Sequence, residues 1–257
     1  MPKKRHWFFD AHKYQVRTGI VPEYADGYVI KTHSHPWHQL VYASKGVMTV
    51  RAPNGAWVVP IHRGVWVPAG TRHSIEMSGA VSLRTLYLVP RLSRSLPVEP
   101  RVIGVSPLLR ELILRIVELD SLDLRDPAHA HLVSVLLDQL HVMKSDAVHL
   151  PLPRDARAKR IAAMLQKQPS DTRSLIELSK FAGASKRTVE RLFKIETGLG
   201  FGKWRQQLRL GHALRLLAAG DAVTTVAIDV GYDSISAFIS AFRMTFGKTP
   251  GQYFRTA

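Results

Sequence analysis

The sequence predicts an α+β chain, and three observations carry that reading: a switch from strand to helix periodicity near residue 100, a proline-punctuated break near residue 150, and an internal repeat beyond it. A length of 257 residues allows two hydrophobic cores, since one core usually serves about 100 to 200 residues. Apolar residues at 46% and charged residues at 22% exclude a disordered chain. The expected order is a β-barrel domain over residues 1–100, a helical linker over 101–153 and an all-α domain over 154–257. In the last, two helix-turn-helix units, near 174–195 and 223–246, are joined by a long helix.

The chain opens MPKKRHWFFDAHKY, where a basic start is followed by an apolar run of only Trp7, Phe8 and Phe9, so no export signal is expected. No window approaches the roughly 20 apolar residues of a membrane span, and no membrane partner is expected. The absence of cysteine excludes disulfides, thiolate metal sites and a cysteine nucleophile, and permits the cytoplasmic location expected here. Between residues 28 and 90, the runs LVYASKG, VMTVRAPNG, AWVVP, GVWVPAG and VSLRTLYLVP alternate with turn signals such as Asn54-Gly55. Short, evenly spaced runs rich in Val, Trp and Tyr indicate a small barrel or sandwich. Trp37, Trp57 and Trp66 either line a pocket in it or belong to its core.

From Ser106 the spacing becomes helical, with Leu109, Leu112, Ile113 and Ile116 in one set and Leu132, Val135, Leu136 and Leu140 in a second after Asp126-Pro127. These helices either cap the β-domain or form the seam of a homodimer. The stretch Leu150-Pro151-Leu152-Pro153 reads as a linker.

Beyond it, Leu178–Ser185 has a counterpart in Val226–Asp233, with Gly183 and Gly231 set 48 residues apart. Phe193 precedes Gly198 by five residues, and Phe242 precedes Gly247 by five. Ser174 and Glu177 form a capping box at a helix start, Ser179 and Ala227 are small where two helices cross, and each repeated glycine suits a sharp helix end. A second helix then begins at Ser185, with Val189, Leu192 and Phe193 as its buried stripe. Its other faces carry Lys186, Arg187, Glu190, Arg191 and Lys194, with Lys186, Arg187 and Thr188 in the first turn. In the second unit the equivalent helix carries Ser234 and Ser236 and no cation before Arg243, with Ile235, Phe238, Ile239 and Phe242 expected to be buried. Arginine in the first turns of a helix lying in the major groove can pair bidentately with guanine, so base readout is expected from the first unit and phosphate and apolar contacts from the second.

Charge agrees with a polyanion partner. Residues 1–100 carry 13 basic and 5 acidic side chains, residues 101–153 carry 5 and 7, and residues 154–257 carry 18 and 8. The helix over Lys203–Gly220 would set the two reading helices one DNA turn, about 34 Å, apart.

From about Ala156 to Arg255, the segments LFKIETG, RLGHALRLL, VAIDVGYDS and FRMTFGKTPGQYFR closely resemble the DNA-binding domain of AraC/XylS-type transcription regulators. The resemblance implies a non-enzymatic regulator that binds double-stranded promoter DNA as monomer or homodimer and recruits RNA polymerase when activating. Gly200-Phe201 and Asp229 depart from the family's usual pattern.

The pattern Gly27-x5-His33-Ser34-His35-x3-Gln39-x6-Gly46, followed by Pro68-Ala69-Gly70-Thr71-Arg72-His73, resembles the two motifs of the cupin superfamily. In metal-binding cupins these places hold three histidines and a glutamate; here they hold His33, His35, His73 and Gln39. Three readings stand: a divalent metal held mainly by imidazoles, a pocket that hydrogen-bonds an unidentified small-molecule effector, or structural histidines in a barrel mouth. His38 falls outside the motif. A metal-dependent cupin enzyme tethered to nucleic acid and a non-specific nucleic-acid chaperone are the rival functions; Gln39 argues against the first.

Overall fold

Residues 15–53, 55–61, 63–92, 96–142 and 149–255 are described by the computed structural model. The reading of residues 1–14 as lacking an export signal, and Asn54 of the expected turn, lie outside them. The β-domain comprises β1 (Val16–Tyr24), β2 (Val29–His33), β3 (His38–Ala52), β4 (Gly55–Val59), β5 (Arg63–Val67), β6 (His73–Leu88), β7 (Arg101–Gly104), β8 (Ser121–Leu122) and β9 (His149–Pro151).

The long strands β3 and β6 pair antiparallel along their length, with register shifts between Ala43 and Val47, and each serves two partners. The first half of β3 pairs with β5 and the second with β4, while β6 pairs first with β2 and then with β1. Strand β7 extends β5, β8 extends β1, and β9 extends β4. The sheet is thereby folded on itself.

Alternation along β3 sorts its side chains. Val41 joins Val65, Val67 and Leu83 in the barrel interior. Leu40 and Tyr42 turn outward, where they pack with Leu86 and Leu88 beneath α1 (Pro107–Leu119) and α2 (Pro127–Val142). With both faces covered, the strand reads as an unbroken apolar run instead of alternating. The two helices cap the barrel through Leu109, Leu112, Ile113, Ile116, Leu136 and Leu140, whereas Val135 is 39% exposed. Trp57 and Trp66 are both core residues.

The remaining chain is helical: α3 (Ala156–Lys167), α4 (Leu175–Phe181), α5 (Lys186–Thr197), α6 (Phe201–Ala219), α7 (Val223–Asp229), α8 (Ile235–Phe246) and α9 (Pro250–Arg255). Helix α6 belongs to two cores. Its Trp204 and Leu208 pack with Ile161, Leu178, Val189 and Phe193, and its Leu210 and Leu214 pack with Val226, Phe238 and Phe242. In α8, Ile235 departs from the expected buried stripe at 40% exposure, and Ala241 takes an inner position.

The proline-punctuated stretch also departs from a bare linker. Gly55 to Trp57 of β4 pair with His149 to Pro151, Leu150 enters the core of the first helical unit, and Trp204 Nε1 donates to the Pro151 carbonyl at 2.7 Å. Proline lacks a donor but keeps its carbonyl, so it is tolerated on an edge strand and still accepts. The residues expected to separate the two halves tie them together.

Candidate functional site

Each helix-turn-helix unit is built from local rules. Ser174 Oγ accepts from the Glu177 amide at 3.3 Å, and Glu177 Oε2 accepts from the Ser174 amide at 2.8 Å, so the expected capping box begins α4. Ser179 is 1% exposed and Ala227 fully buried where the paired helices meet. Gly183 at φ 70° and Gly231 at φ 81° make the turns, a region that costs a side chain about 1 kcal/mol or more.

On the first unit's second helix, α5, Lys186, Arg187, Arg191 and Lys194 are all exposed, while Val189, Leu192 and Phe193 are buried. Lys186 lies 3.8 Å from Glu190, a surface pair that leaves the ammonium mobile. Ser185 Oγ accepts from the Thr188 amide at 3.2 Å and also meets the Thr188 hydroxyl at 2.9 Å, so both expected contact residues have a capping role. Helix α8 repeats the pattern: Ser234 Oγ accepts from the Ala237 amide at 3.2 Å, and Ser236 and Arg243 are exposed.

Not all of the basic charge in this half faces outward. Arg205 of α6 donates to the carbonyls of Asp171 and Arg173, and Arg209 donates to those of Pro169 and Asp171. These two guanidinium groups hold the loop before α4, a role that composition alone does not reveal.

The histidines converge at one end of the barrel. His33 on β2 stands opposite His73 on β6 in the strand register, and His35 lies in the turn that leads into β3. Ring centroids lie 4.4 Å apart for His33 and His73, 5.2 Å for His35 and His73, and 5.8 Å for His33 and His35. One nitrogen from each lies within 4.8 Å of the others.

The protons can be assigned from the partners. Nδ1 of His33, His35 and His73 lies 2.8 to 2.9 Å from the carbonyl oxygens of Lys31, Trp37 and Thr71 respectively. A carbonyl only accepts, so each Nδ1 carries a hydrogen. His73 Nε2 is buried with no hydrogen-bond partner among the described residues. Burial holds His35 below the ordinary imidazole value and His73 down to about 4, which keeps both rings neutral at pH 7.

Gln39 completes the group. Its amide nitrogen donates to Thr85 Oγ1 at 2.9 Å and Tyr87 Oη at 3.1 Å, and Thr85 in turn donates to the Leu40 carbonyl. That chain orients the amide so that Oε1 faces His35 Nε2 at 3.1 Å. The Tyr87 ring stands edge-on to His35, with centroids 5.3 Å apart, and Trp37 lies 6.3 Å from it. His38 sits outside this group, accepting from the Ala69 amide at 2.9 Å and lying against Trp66.

Thr85 and Tyr87 were not evident from the sequence because strand register alone brings them to Gln39. The His33, Gln39 and His73 spacings were the only available signal. No helix among the described residues is long and apolar enough to cross a membrane.

Comparison with known proteins agrees with both halves. Residues 178–256 match a family described as a helix-turn-helix domain, and residues 19–162 match the AraC-like ligand binding domain. The chain is 36% identical over 221 residues to the HTH-type transcriptional regulator NimR of Escherichia coli, covering 86% of this chain and 81% of NimR. It is 37% identical over 103 residues to the regulator RipA of Corynebacterium glutamicum, covering 40% of this chain and 31% of RipA. The crystal structure of ToxT from Vibrio cholerae O395 is similar with a TM-score of 0.40 and 11% identity, covering 95% of this chain and 98% of that one. With the ligand-binding match spanning more than half of its length and NimR aligned through both halves, this chain belongs to the AraC-type family of helix-turn-helix transcriptional regulators.

Proposed function

We propose that this regulator reads promoter bases through α5, grips phosphates through α8, and carries in its barrel a divalent cation that seats a small-molecule effector. The observation that carries the barrel reading is the clustering of His33, His35 and His73, one nitrogen of each within 4.8 Å of the others, with Gln39 Oε1 3.1 Å from His35 Nε2 and His73 Nε2 orphaned. A cation satisfies such a set, and the three backbone carbonyls behind the imidazoles fix their tautomers as second partners do around bound metals. Imidazole with one amide oxygen suits zinc, iron(II), cobalt or nickel better than magnesium or calcium. When bound, the cation would offer a Lewis-acidic position to an effector oxygen or nitrogen.

Metal analysis of the purified full chain tests this. About one divalent ion per chain is expected, lost in His73→Ala and in His33→Ala. A metal-free wild type that still shifts its operator affinity with a bound organic compound would replace the cation by direct hydrogen bonding. Trp37 and Tyr87 beside His35 favour that second reading. On either reading the protein acts on double-stranded promoter DNA in the cytoplasm, as monomer or homodimer, and recruits RNA polymerase where it activates. Genome-wide mapping of its bound sites checks the promoter assignment: enrichment at discrete operators supports it, and uniform coverage would point to a chaperone.

A further inference from the structure

One face of α6 does not serve either helical core. Gln207, Gly211, Arg215 and Ala218 recur at helical spacing and lie toward the outer face of the barrel. The approach is close. A Cβ on Gly79, which sits at φ 71° in β6, would stand 2.4 Å from the Ala218 carbonyl oxygen, and one on Gly211 would stand 3.2 Å from Val58 Cγ2.

Near these contacts the packing leaves a cavity of about 100 Å³, lined among others by Thr49, Arg51, Val58, Gln207, His212 and Arg215. Three buried polar atoms on its lining residues have no hydrogen-bond partner among the described residues: Thr49 Oγ1, Gln207 Oε1 and Arg215 Nε. Native interiors hold few such orphans, and three around one cavity mark a place where something polar is missing.

The charges indicate what kind of group fits. Arg51 pairs with Glu76 at 3.2 Å, so the nearby carboxylate is already engaged. Arg215 has no carboxylate within ion-pair distance among the described residues, and its Nη2 instead donates to His212 Nδ1 at 2.6 Å. Burial, then the adjacent Arg215, holds His212 down to about 4, so the ring accepts this hydrogen bond as the neutral imidazole. The cavity thus offers a guanidinium with an unused N–H, a hydroxyl able to donate and an amide whose oxygen can accept from a protonated ligand oxygen. A planar guanidinium fork is matched by an oxyanion, and about 100 Å³ is room for a carboxylate or phosphate group with one or two waters.

We propose that the cleft between the barrel and α6 is a second ligand site, separate from the histidine cluster, which takes the carboxylate or phosphate group of a small metabolite. An anion seated there bridges Thr49 of the barrel to Arg215 of the helix that carries both reading units. It binds the folded, docked arrangement and therefore stabilises it by mass action.

The test is thermal unfolding and calorimetric titration of the full chain with inorganic phosphate, acetate and succinate, at constant ionic strength set with chloride. At least one anion is expected to raise the midpoint by a few degrees with saturation in the millimolar range or below. Phosphate acting alone assigns phosphorylated ligands, and succinate or acetate acting alone assigns carboxylates. Arg215→Gln should abolish the saturable response, and Thr49→Val should weaken it several-fold while keeping the volume of the side chain. His73→Ala should leave it intact, which separates this site from the barrel's. The proposal is overturned if no anion saturates, or if Thr49→Val and Arg215→Gln, both folded, respond as the wild type does; the cavity then holds water only.

Discussion

The two helix-turn-helix units share a skeleton and differ in what they display. Both begin their second helix on a serine cap, Ser185 or Ser234, both turn on a glycine of positive φ, and both close on another, Gly198 at 72° or Gly247 at 76°. Both bury a phenylalanine completely at the matching position, Phe193 or Phe242, and the second unit buries Phe238 as well. Outward, α5 presents four cations while α8 presents hydroxyls, Arg243 and the largely exposed Met244. The buried set answers to packing and the turn geometry, which tolerate little change; the exposed set is free to diverge. A repeated fold therefore need not mean a repeated reading task.

If the skeletons are equivalent, Phe193→Ala and Phe242→Ala should each cost about 3–5 kcal/mol of stability, measured by urea unfolding. A loss confined to one unit would break the equivalence. The difference in display is sharpened next: Arg187→Ala or Arg191→Ala should cost about 1–3 kcal/mol in operator binding and relax preference at one base position. Ser236→Ala should leave the preference unchanged, as read from binding-site selection, and a relaxed base under Ser236→Ala would move readout into the second unit. Ser185→Ala and Ser234→Ala should each lose about 1 kcal/mol of stability through the missing cap. The smallest effect is expected from Lys194→Ala, which should lower the salt dependence of binding by about one unit. An unchanged slope would place that ammonium in solvent.

Much of the helical half was legible because its rules are local. The Ser174–Glu177 box, the turn glycines and the Phe–Gly spacing all act within a few residues, so they survive in one dimension. The barrel was legible as a class and in its histidines, but not in the groups that orient them. Thr85 and Tyr87 reach Gln39 across 46 and 48 residues, through a register that depends on the irregular pairing near Lys45. Pro151 was misleading because proline commonly breaks strands, yet on an edge its carbonyl is still used. Ile235 looked buried because helical spacing identifies a stripe without giving its width; the inner face stops at Phe238 and Phe242, with Ala241 beside them. A charge count cannot distinguish Arg205 and Arg209 from surface cations, because their carbonyl partners lie 32 and 38 residues away.

Strand β3 carries Gln39 toward the histidines in its first half and Thr49 toward α6 in its second. A hybrid regulator made by cutting at residue 153 and attaching a foreign sensory half would therefore replace the seat of α6 along with the effector chamber. Hybrids should retain operator control only where the incoming counterparts of β4 and β6 preserve the valine and glycine that receive the helix. The functional seam for recombining such proteins thus lies across the backbone-close contacts of Gly79 and Val58, far in sequence from the prolines that look like the natural place to cut.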